Sequence, residues 1–202
     1  MKVIEQLLVN AGISPIAGVD EAGRGACAGP LVIASVVLND PFSPELAVVR
    51  DSKEIPESKR DSVFDLIHSV AASVSVVIVP AAEVDSRGVH AANLDGMRRA
   101  VQGLNVEPAY VLTDGYAIEG LGVPNLAVWK GDQVVVSISA ASVIAKVTRD
   151  RIMREMDIEF PQYGFAGHKG YITAAHTKAL NEHGPCVQHR TSFANVAALI
   201  HK

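Results

Sequence analysis

Two short runs of β-branched and aliphatic residues, residues 16–20 and 31–38, flank a stretch that is rich in glycine. Runs of this kind, bounded by residues that favour turns, are typical of β-strands. Their closeness along the chain favours an antiparallel pair. The pair indicates that the fold contains a β-sheet.

Strand and helix patterns then alternate along the chain. Three further segments have the composition of short strands: residues 74–79, 110–113 and 126–129. Apolar residues at three- and four-residue spacing predict helices in three segments: residues 63–71, 94–104 and 139–160. Thr173 is expected to cap another helix that ends at Gly184, and residues 193–200 suggest a last one. The sequence therefore predicts one α/β domain with a core of residues 1–145 and a helical C-terminal extension of residues 146–202.

Composition excludes several classes of protein. The 202 residues are 49% hydrophobic and 20% charged, which is ordinary for a folded chain and excludes a disordered one. No apolar run approaches the roughly 18 residues that a membrane-spanning helix needs. Two cysteines, Cys27 and Cys186, are too few for a disulfide framework. We therefore expect a cytoplasmic protein that does not enter a membrane.

The net charge of −4 conceals an asymmetry between the two parts of the chain. Residues 1–145 carry 10 basic and 17 acidic side chains, whereas residues 146–202 carry 8 basic and 5 acidic ones. A basic C-terminal part suits a polyanionic ligand. A solvated helix face explains the same charges more simply, so charge alone does not decide the function.

Four carboxylates lie at the predicted ends of strands: Asp20, Glu21, Asp114 and Asp132. Sites in α/β sheets assemble at strand ends, and a set of oxygen ligands suits a hard cation such as Mg²⁺ or Mn²⁺. Two such ions about 4 Å apart would activate water and stabilise the leaving oxygen in phosphodiester cleavage. Adjacent acids on a regular strand point to opposite faces, so the first two share an ion only if the strand bends or ends there. Each acid alone also suits a surface turn, and both interpretations stay open at this point.

Other motifs in the chain are weaker. The glycine-rich stretch lacks the G-x-G-x-x-G pattern before a helix, and no P-loop sequence is present, which excludes both kinds of nucleotide loop. Four histidines lie close together in the C-terminal part: His168, His176, His183 and His189. Their spacing, with Cys186, is a weak match to a zinc site. Paired histidines can cleave RNA without a metal by general acid–base catalysis, although structural roles explain these residues more simply.

Several blocks of sequence, taken together and in order, resemble a known family. Residues 18–25, with the sequence GVDEAGRG, and Gly29-Pro30 are similar to the signature of bacterial type 2 ribonuclease H, the ribonuclease HII family. Further blocks match in order: residues 51–53, 113–115, 130–132, 139–147, 149–151, 163–165, 168–171 and 189–193. The blocks span nearly the whole chain. Their combination is highly specific, although any one block alone is weak.

The resemblance implies a fold and an activity. The fold would be ribonuclease H-like, with a five-stranded mixed sheet flanked by helices and a helical C-terminal part that completes the substrate groove. The family's four active-site acids correspond to Asp20, Glu21, Asp114 and Asp132, which would hold two Mg²⁺ or Mn²⁺ ions. The implied reaction is cleavage of the RNA strand of RNA/DNA hybrids, and cleavage 5′ of single ribonucleotides in duplex DNA. The products would carry 3′-hydroxyl and 5′-phosphate ends.

The resemblance also implies how the substrate is recognised. The segment Gly23-Arg24-Gly25 resembles a loop that reads a ribose 2′-hydroxyl through its main chain, which glycines allow to approach a sugar closely. Tyr171 resembles the tyrosine that stacks on the deoxyribose after the ribonucleotide. Three lysines are expected to contact phosphates: Lys53, Lys146 and Lys169.

One departure from the family pattern and two alternative functions remain. Glu54-Ile55 stands where the family usually has a second basic residue and leucine, which would weaken backbone binding and leave the acids untouched. We expect a monomer without a clamp-binding tail, whose partners are RNA/DNA hybrids and ribonucleotide-containing duplexes. The alternatives are a metal-independent, histidine-based ribonuclease and a non-catalytic nucleic-acid-binding module. The second is disfavoured because unneutralised carboxylates repel phosphate.

Overall fold

A computed structural model describes residues 3–200, and its centre is a five-stranded sheet with helices on both faces. The strands are β1 (Ile16–Ala22), β2 (Leu31–Leu38), β3 (Ala71–Val79), β4 (Tyr110–Asp114) and β5 (Asn125–Val128). Their order across the sheet is β3-β2-β1-β4-β5. The pairs β1/β2 and β2/β3 are antiparallel, whereas β1/β4 and β4/β5 are parallel. The predicted antiparallel pair and the mixed sheet are confirmed.

The helices increase in number toward the C-terminal end of the described chain. They are α1 (Val3–Asn10), α2 (Glu57–Val70), α3 (Ala81–Arg87), α4 (Val89–Gln102), α5 (Gly131–Val134), α6 (Val136–Glu159), α7 (Phe165–His168), α8 (Ala174–His183) and α9 (Ala194–Ile200). Two short 3₁₀ helices occupy Pro44–Val48 and Pro161–Tyr163. Among residues 3–200, no helix is both long enough and apolar enough to cross a membrane.

Strand β2 is almost entirely apolar because both faces of the sheet are covered there, and all eight of its residues are buried. Val32, Ala34 and Val36 join a core that α2 and α6 supply on one face. Leu31 and Ile33 join a second core, to which α4 contributes on the opposite face. The alternation of side chains along a strand therefore divides one apolar run between two cores.

Helix α6 packs closely against strand β1 at Gly18. A Cβ atom on Gly18 would lie 2.1 Å from the main-chain carbon of Ser137, so only glycine permits this contact. Glu5 in α1 accepts hydrogen bonds from the main-chain nitrogens of Val136 and Ser137, at 2.9 and 3.0 Å. A carboxylate at a helix N-terminus satisfies free N–H groups and complements the helix dipole. These contacts fix α6 against the strand that carries Asp20.

The structure differs from the sequence predictions at several boundaries. Strand β1 does not end at residue 20 but continues to Ala22, paired with β2 from Ala17 onward. Helix α2 ends at Val70, and β3 begins at the next residue. Helices α1 and α3 were not predicted, whereas the cap at Thr173 is confirmed, since its side chain accepts a hydrogen bond from the nitrogen of His176. Helix α6 runs unbroken across the expected boundary between residues 145 and 146.

Candidate active site

Three carboxylates meet where strands β1 and β4 separate. The parallel pairing of these strands ends at Val19 and Thr113, and Asp20 and Asp114 are the next residues. Asp132 lies in the short helix α5, which follows β5 on the neighbouring side. One carboxylate oxygen from each of the three acids lies within 4.8 Å of the others. The sheet topology therefore gathers residues that are far apart in the sequence.

Glu21 occupies a different position from the other three acids. Because β1 continues to Ala22, Asp20 and Glu21 alternate across the sheet, and the bend that would let them share an ion is not present. Glu21 is outside the three-oxygen cluster but lines the same cavity. Its Oε2 atom is buried without a hydrogen-bond partner. Asn93, which lies on α4, forms a hydrogen bond with the carboxylate group. The fourth acid thus reaches the cavity from the other face.

Burial and nearby negative charges raise the pKa values of Asp20, Glu21 and Asp132. Burial, then the charges of Glu21 and Asp114, place the pKa of Asp20 well above its ordinary value. Burial raises the pKa of Glu21 to about 7, against the opposing charge of Arg24. The pKa of Asp132 is also raised, first by burial and then by Asp51 and Asp114. A cation in this cavity would remove the repulsion that the protein itself leaves uncompensated.

Hydrogen bonds hold the carboxylates in place. The main-chain nitrogen of Glu21 donates to Oδ1 of Asp20 at 2.7 Å, and the hydroxyl of Ser142 also bonds this carboxylate. Gly131 donates its main-chain N–H to Oδ1 of Asp114 at 2.7 Å. The hydroxyl of Ser139 donates to the main-chain oxygen of Asp132 at 2.7 Å. Side chains of α6 therefore support two of the three acids, which makes this helix the scaffold of the site.

Lys53 forms an ion pair with Asp132. Its Nζ atom lies 3.6 Å from Oδ2 of Asp132 and 3.8 Å from Oδ1 of Asp51. Burial would lower the pKa of Lys53, but the carboxylates of Asp51, Asp132 and Asp20 outweigh it and raise the pKa. The side chain is 78% exposed, so it is free to turn toward an anion.

The cavity above the acids has a volume of about 410 Å³. Its lining includes all the residues predicted from the sequence except Lys169: Asp20, Glu21, Gly23, Arg24, Gly25, Lys53, Asp114, Asp132, Lys146 and Tyr171. Lys146 also forms an ion pair of 2.7 Å with Asp150. Lys169 is buried outside the cavity, where it bonds the main-chain oxygen of Ala166 and lies 3.9 Å from Glu57.

The loop of residues 23–25 rests on two buried arginines. Gly23 has a φ of +90°, and a Cβ atom there would lie 1.9 Å from Nε of Arg149, so the position requires glycine. Arg149 donates to the main-chain oxygens of Pro30 and Ala28, at 2.9 and 3.1 Å. Arg190 donates to the oxygens of Gly29 and Arg24. Both guanidinium groups thus fix main-chain carbonyls around the loop.

Comparison with known proteins decides the family. A family model described as ribonuclease HII matches residues 17–196. A ribonuclease HII from Parafrankia sp. is 57% identical over 96% of this chain and 81% of its own length. One from Mycolicibacterium smegmatis is 55% identical over 97% of this chain and 72% of its own. The chain belongs to the ribonuclease HII family. A crystal structure of ribonuclease H2 from Pyrococcus horikoshii superposes with a TM-score of 0.79 and 25% identity, over 92% of this chain and 97% of that one.

Membership of the ribonuclease HII family confirms the fold class and the class of enzyme. The chain is an endoribonuclease with a ribonuclease H-like fold and acts on RNA/DNA hybrids. The family depends on divalent metal ions, and the site fits such ions. The donors are carboxylate oxygens, and Glu21 Oε2 is a buried acceptor without a donor. Hard cations prefer this set of ligands.

The histidines do not support the metal-independent alternative within the ribonuclease HII fold. Among residues 3–200, no histidine lines the cavity that contains the acids. His176 and His189 are buried below Tyr171, and their side chains bond each other. A histidine that transfers protons to a substrate has to reach the substrate, which these two do not.

Some residues around the cavity of this ribonuclease HII had no predicted role. Ser142 bonds Asp20, Asn93 bonds Glu21, and Arg149 and Arg190 support the loop of residues 23–25. The arginines belong to blocks that resemble the family, which was the available signal for them. Asn93 had no signal, because one polar residue on a helix is ordinary.

Proposed function

We propose that this ribonuclease HII cleaves RNA/DNA hybrids and also cuts on the 5′ side of single ribonucleotides embedded in duplex DNA. The cleavage is endonucleolytic and leaves 3′-hydroxyl and 5′-phosphate ends. The acids Asp20, Glu21, Asp114 and Asp132 hold two divalent cations, Mg²⁺ or Mn²⁺. The observation that carries the proposal is one cavity lined both by the clustered acids and by the segments suited to reading a sugar.

The charges of the cavity support a cation-assisted reaction. Three carboxylates within 4.8 Å repel one another and the phosphate of any substrate, so the protein alone disfavours the complex. Bound cations would neutralise these charges, polarise a water molecule and stabilise negative charge on the phosphate oxygens. Ser142 and the main-chain nitrogens of Glu21 and Gly131 hold the carboxylates in place for this task.

The loop of residues 23–25 and Tyr171 support recognition of a junction between RNA and DNA. Both line the cavity, and Arg149 connects them, since it contacts Gly23 and lies 5.5 Å from the ring centroid of Tyr171. Main-chain groups at Gly23 and Gly25 suit a ribose 2′-hydroxyl, the group that distinguishes RNA from DNA. The half-exposed ring of Tyr171 suits the flat face of the next sugar, where a hydroxyl on C2′ would clash.

The decisive experiment uses a DNA duplex that contains a single ribonucleotide. The protein is incubated with this duplex with Mg²⁺, with Mn²⁺ and with chelator, and the product ends are mapped. We expect cleavage on the 5′ side of the ribonucleotide, with 3′-hydroxyl ends and no activity in chelator. A cyclic phosphate product, or undiminished cleavage in chelator, would contradict the proposal.

A further inference from the structure

A chain of buried histidines lies directly beneath Tyr171, and the proposed reaction does not use it. His176 and His189 are 1% and 2% exposed and belong to the C-terminal part of the fold. Their Nε2 atoms are 3.0 Å apart. Nδ1 of His176 lies 3.0 Å from the main-chain oxygen of Tyr171, and the main-chain nitrogen of Cys186 lies 3.0 Å from Nδ1 of His189. Four groups are thus linked in one line.

The two ends of this line determine where the ring protons are. A main-chain N–H only donates, so Nδ1 of His189 accepts from Cys186 and carries no proton. The thiol of Cys186, 3.2 Å from the same nitrogen, can donate to it but cannot accept from it in this state. A carbonyl oxygen only accepts, so Nδ1 of His176 is protonated and donates to Tyr171. Each end assigns one tautomer independently.

The contact between the two histidine rings is consistent with both tautomer assignments. A neutral His189 that lacks the proton on Nδ1 carries it on Nε2, and a neutral His176 with a proton on Nδ1 has a lone pair on Nε2. The contact of 3.0 Å between the two Nε2 atoms therefore contains a single proton, donated by His189. A second proton on either ring would place two donors against each other. Burial, in each case the largest cause, lowers the pKa of both rings, that of His189 to about 4.

His168 reinforces the same segment from a third side. Its Nδ1 accepts from the main-chain nitrogen of Gly170 at 3.2 Å, so its Nε2 donates to the oxygen of Tyr163 at 2.8 Å. Its ring stacks on that of His176, with centroids 4.2 Å apart and planes 13° from parallel. The main chain around Tyr171 is therefore bonded by His168 at the nitrogen of Gly170 and by His176 at the carbonyl oxygen of Tyr171.

The same segment is joined to the loop that precedes β2. The nitrogen of Cys27 donates to the oxygen of Gly170 at 3.0 Å, and Ala28 forms a β-bridge with His189. The Tyr171 ring meanwhile lies against the guanidinium group of Arg149, which supports Gly23. Any displacement of the histidine line would thus change the distance between Tyr171 and the loop of residues 23–25.

We propose that His176 and His189 are positioning residues, which orient Tyr171 toward the sugar beside the scissile bond through a hydrogen-bonded line of fixed direction. This inference rests on the proposed role of Tyr171 at the RNA–DNA junction. Its consequence is that loss of the bond to the Tyr171 carbonyl impairs discrimination at the junction rather than the reaction at the acids. A hybrid, which offers many other sugar and phosphate contacts, depends less on it.

The test compares His176→Phe, which keeps a ring but removes both nitrogens, with His176→Asn, whose amide can still donate to the carbonyl. We measure kcat/KM on a duplex with one ribonucleotide and on a long hybrid. For His176→Phe, kcat/KM on the duplex with one ribonucleotide should fall about tenfold relative to kcat/KM on the long hybrid. This is the size of effect expected when one buried hydrogen bond is lost. His176→Asn should recover most of that loss. His68→Phe, at an exposed position of α2, is the control and should leave both rates unchanged.

Tyr171→Ala and the double variant Tyr171→Ala/His176→Phe separate this inference from the proposed function. If His176 acts through Tyr171, the double variant should lose no more selectivity than Tyr171→Ala alone. If the ratio of kcat/KM values on the two substrates changed for Tyr171→Ala but not for folded His176→Phe, the inference about His176 would be overturned and the proposed function would stand. An unchanged ratio for Tyr171→Ala would overturn the proposed role of Tyr171, and the inference with it.

A measurement without substrate tests the hydrogen-bonded line directly. Nitrogen NMR of the imidazole rings at neutral pH should show His189 protonated on Nε2 and His176 protonated on Nδ1. The His189→Gln variant should keep a donor to His176 and therefore leave the tautomer of His176 unchanged. The opposite tautomer at either residue, or a doubly protonated ring, would refute the direction of the line.

Discussion

The ammonium nitrogen of Lys53 lies 3.6 Å from Oδ2 of Asp132, so a cationic side chain faces one of the clustered acids. The two residues come from distant parts of the sequence, since Lys53 precedes α2 and Asp132 lies in α5. Because its side chain is 78% exposed, Lys53 is held by charge and not by packing. A bound cation would compete with Lys53 for Asp132, and a phosphate would compete with Asp132 for Lys53. Lys53 therefore remains available to the substrate.

Replacing Lys53 by glutamine should weaken binding of a hybrid without abolishing cleavage. Loss of one phosphate contact should reduce the slope of log K against log salt by about 1. The measurement is hybrid binding at several salt concentrations, without divalent cations so that the substrate stays intact. Lys59→Gln, exposed on α2 and absent from the cavity lining, is the matched control. A slope that is unchanged for Lys53→Gln would show that Lys53 does not contact phosphate.

The variants Asp20→Asn and Asp114→Asn should each lose activity and gain stability. Loss of a ligand and of its charge should reduce kcat by at least about 10²-fold. Without cations, the same change relieves repulsion among the clustered acids, so the free energy of unfolding should rise by about 1 kcal/mol and Tm by about 2–4 °C.

These two variants are compared with Asp65→Asn, at an exposed position of α2, by thermal unfolding in chelator. The control should change neither the activity nor Tm. A fall of Tm in both active-site variants would mean that the hydrogen bonds of these carboxylates outweigh their repulsion. Full activity of either variant would exclude that acid from the site.

Asp132→Asn should lower kcat more than it raises KM. Asp132 lies in α5, apart from the strands that carry Asp20 and Asp114, and we expect it to act on one ion or on the leaving group. An interaction that strengthens only in the transition state affects kcat and leaves substrate binding nearly unchanged. Steady-state kinetics on a hybrid at saturating Mg²⁺ provide the measurement. A rise in KM alone would assign Asp132 to substrate binding.

Tyr171→Ala should lose activity on a single embedded ribonucleotide by about tenfold more than on a long hybrid, because stacking on one sugar is lost where few other contacts replace it. Tyr171→Phe keeps the ring and is the matched control, with the wild-type ratio expected. The measurement is the ratio of kcat/KM values on the two substrates. Equal ratios for all three proteins would make Tyr171 a packing residue.

The sequence predicted the sheet well because its strands are short apolar runs bounded by turns. The bounds of β2 were predicted to the residue, and the four acids were selected by their positions after strands before the resemblance was considered. The end of β1 was predicted wrongly, since glycine at residue 23 suggested an earlier break. Pairing with β2 extends the strand to Ala22, and long-range pairing of this kind is not visible in local composition.

Contacts between distant segments account for the rest of what the sequence did not predict. Glu5 bonds the N-terminus of α6 across 131 residues, and nothing near either segment indicates the partner. Arg149 and Arg190 are 1% and 0% exposed, although arginine is ordinarily a surface residue. Their burial depends on main-chain carbonyls that converge only after the loop of residues 23–30 has folded. The sequence was enough to select the four acids as candidates, whereas the groups that support them required the structure.

Acid should destabilise the protein through the buried histidines. Above pH 6.5, His176 and His189 are neutral in both the folded and the unfolded chain. Burial, then the neighbouring His176, lowers the pKa of His189 from 6.5 to about 4 in the folded state, so only the unfolded chain binds a proton between these values. The free energy of unfolding that His189 contributes is therefore complete above pH 6.5 and is lost as the pH falls toward 4.

Comparison of the wild type with His189→Gln isolates this effect. Glu21, whose pKa is about 7, acts in the opposite direction over an overlapping range, because its folded form binds the proton more readily. The contribution of Glu21 is common to the wild type and His189→Gln, so it cancels in the difference between their free energies of unfolding. Urea unfolding measures how much larger the free energy of unfolding is for the wild type than for His189→Gln. This difference should decrease by on the order of 1 kcal/mol or more as the pH falls from 6.5 to 4. A difference that stays constant over this range would mean that His189 takes up a proton in the folded protein as readily as in the unfolded chain, which would contradict the neutral hydrogen-bonded line beneath Tyr171.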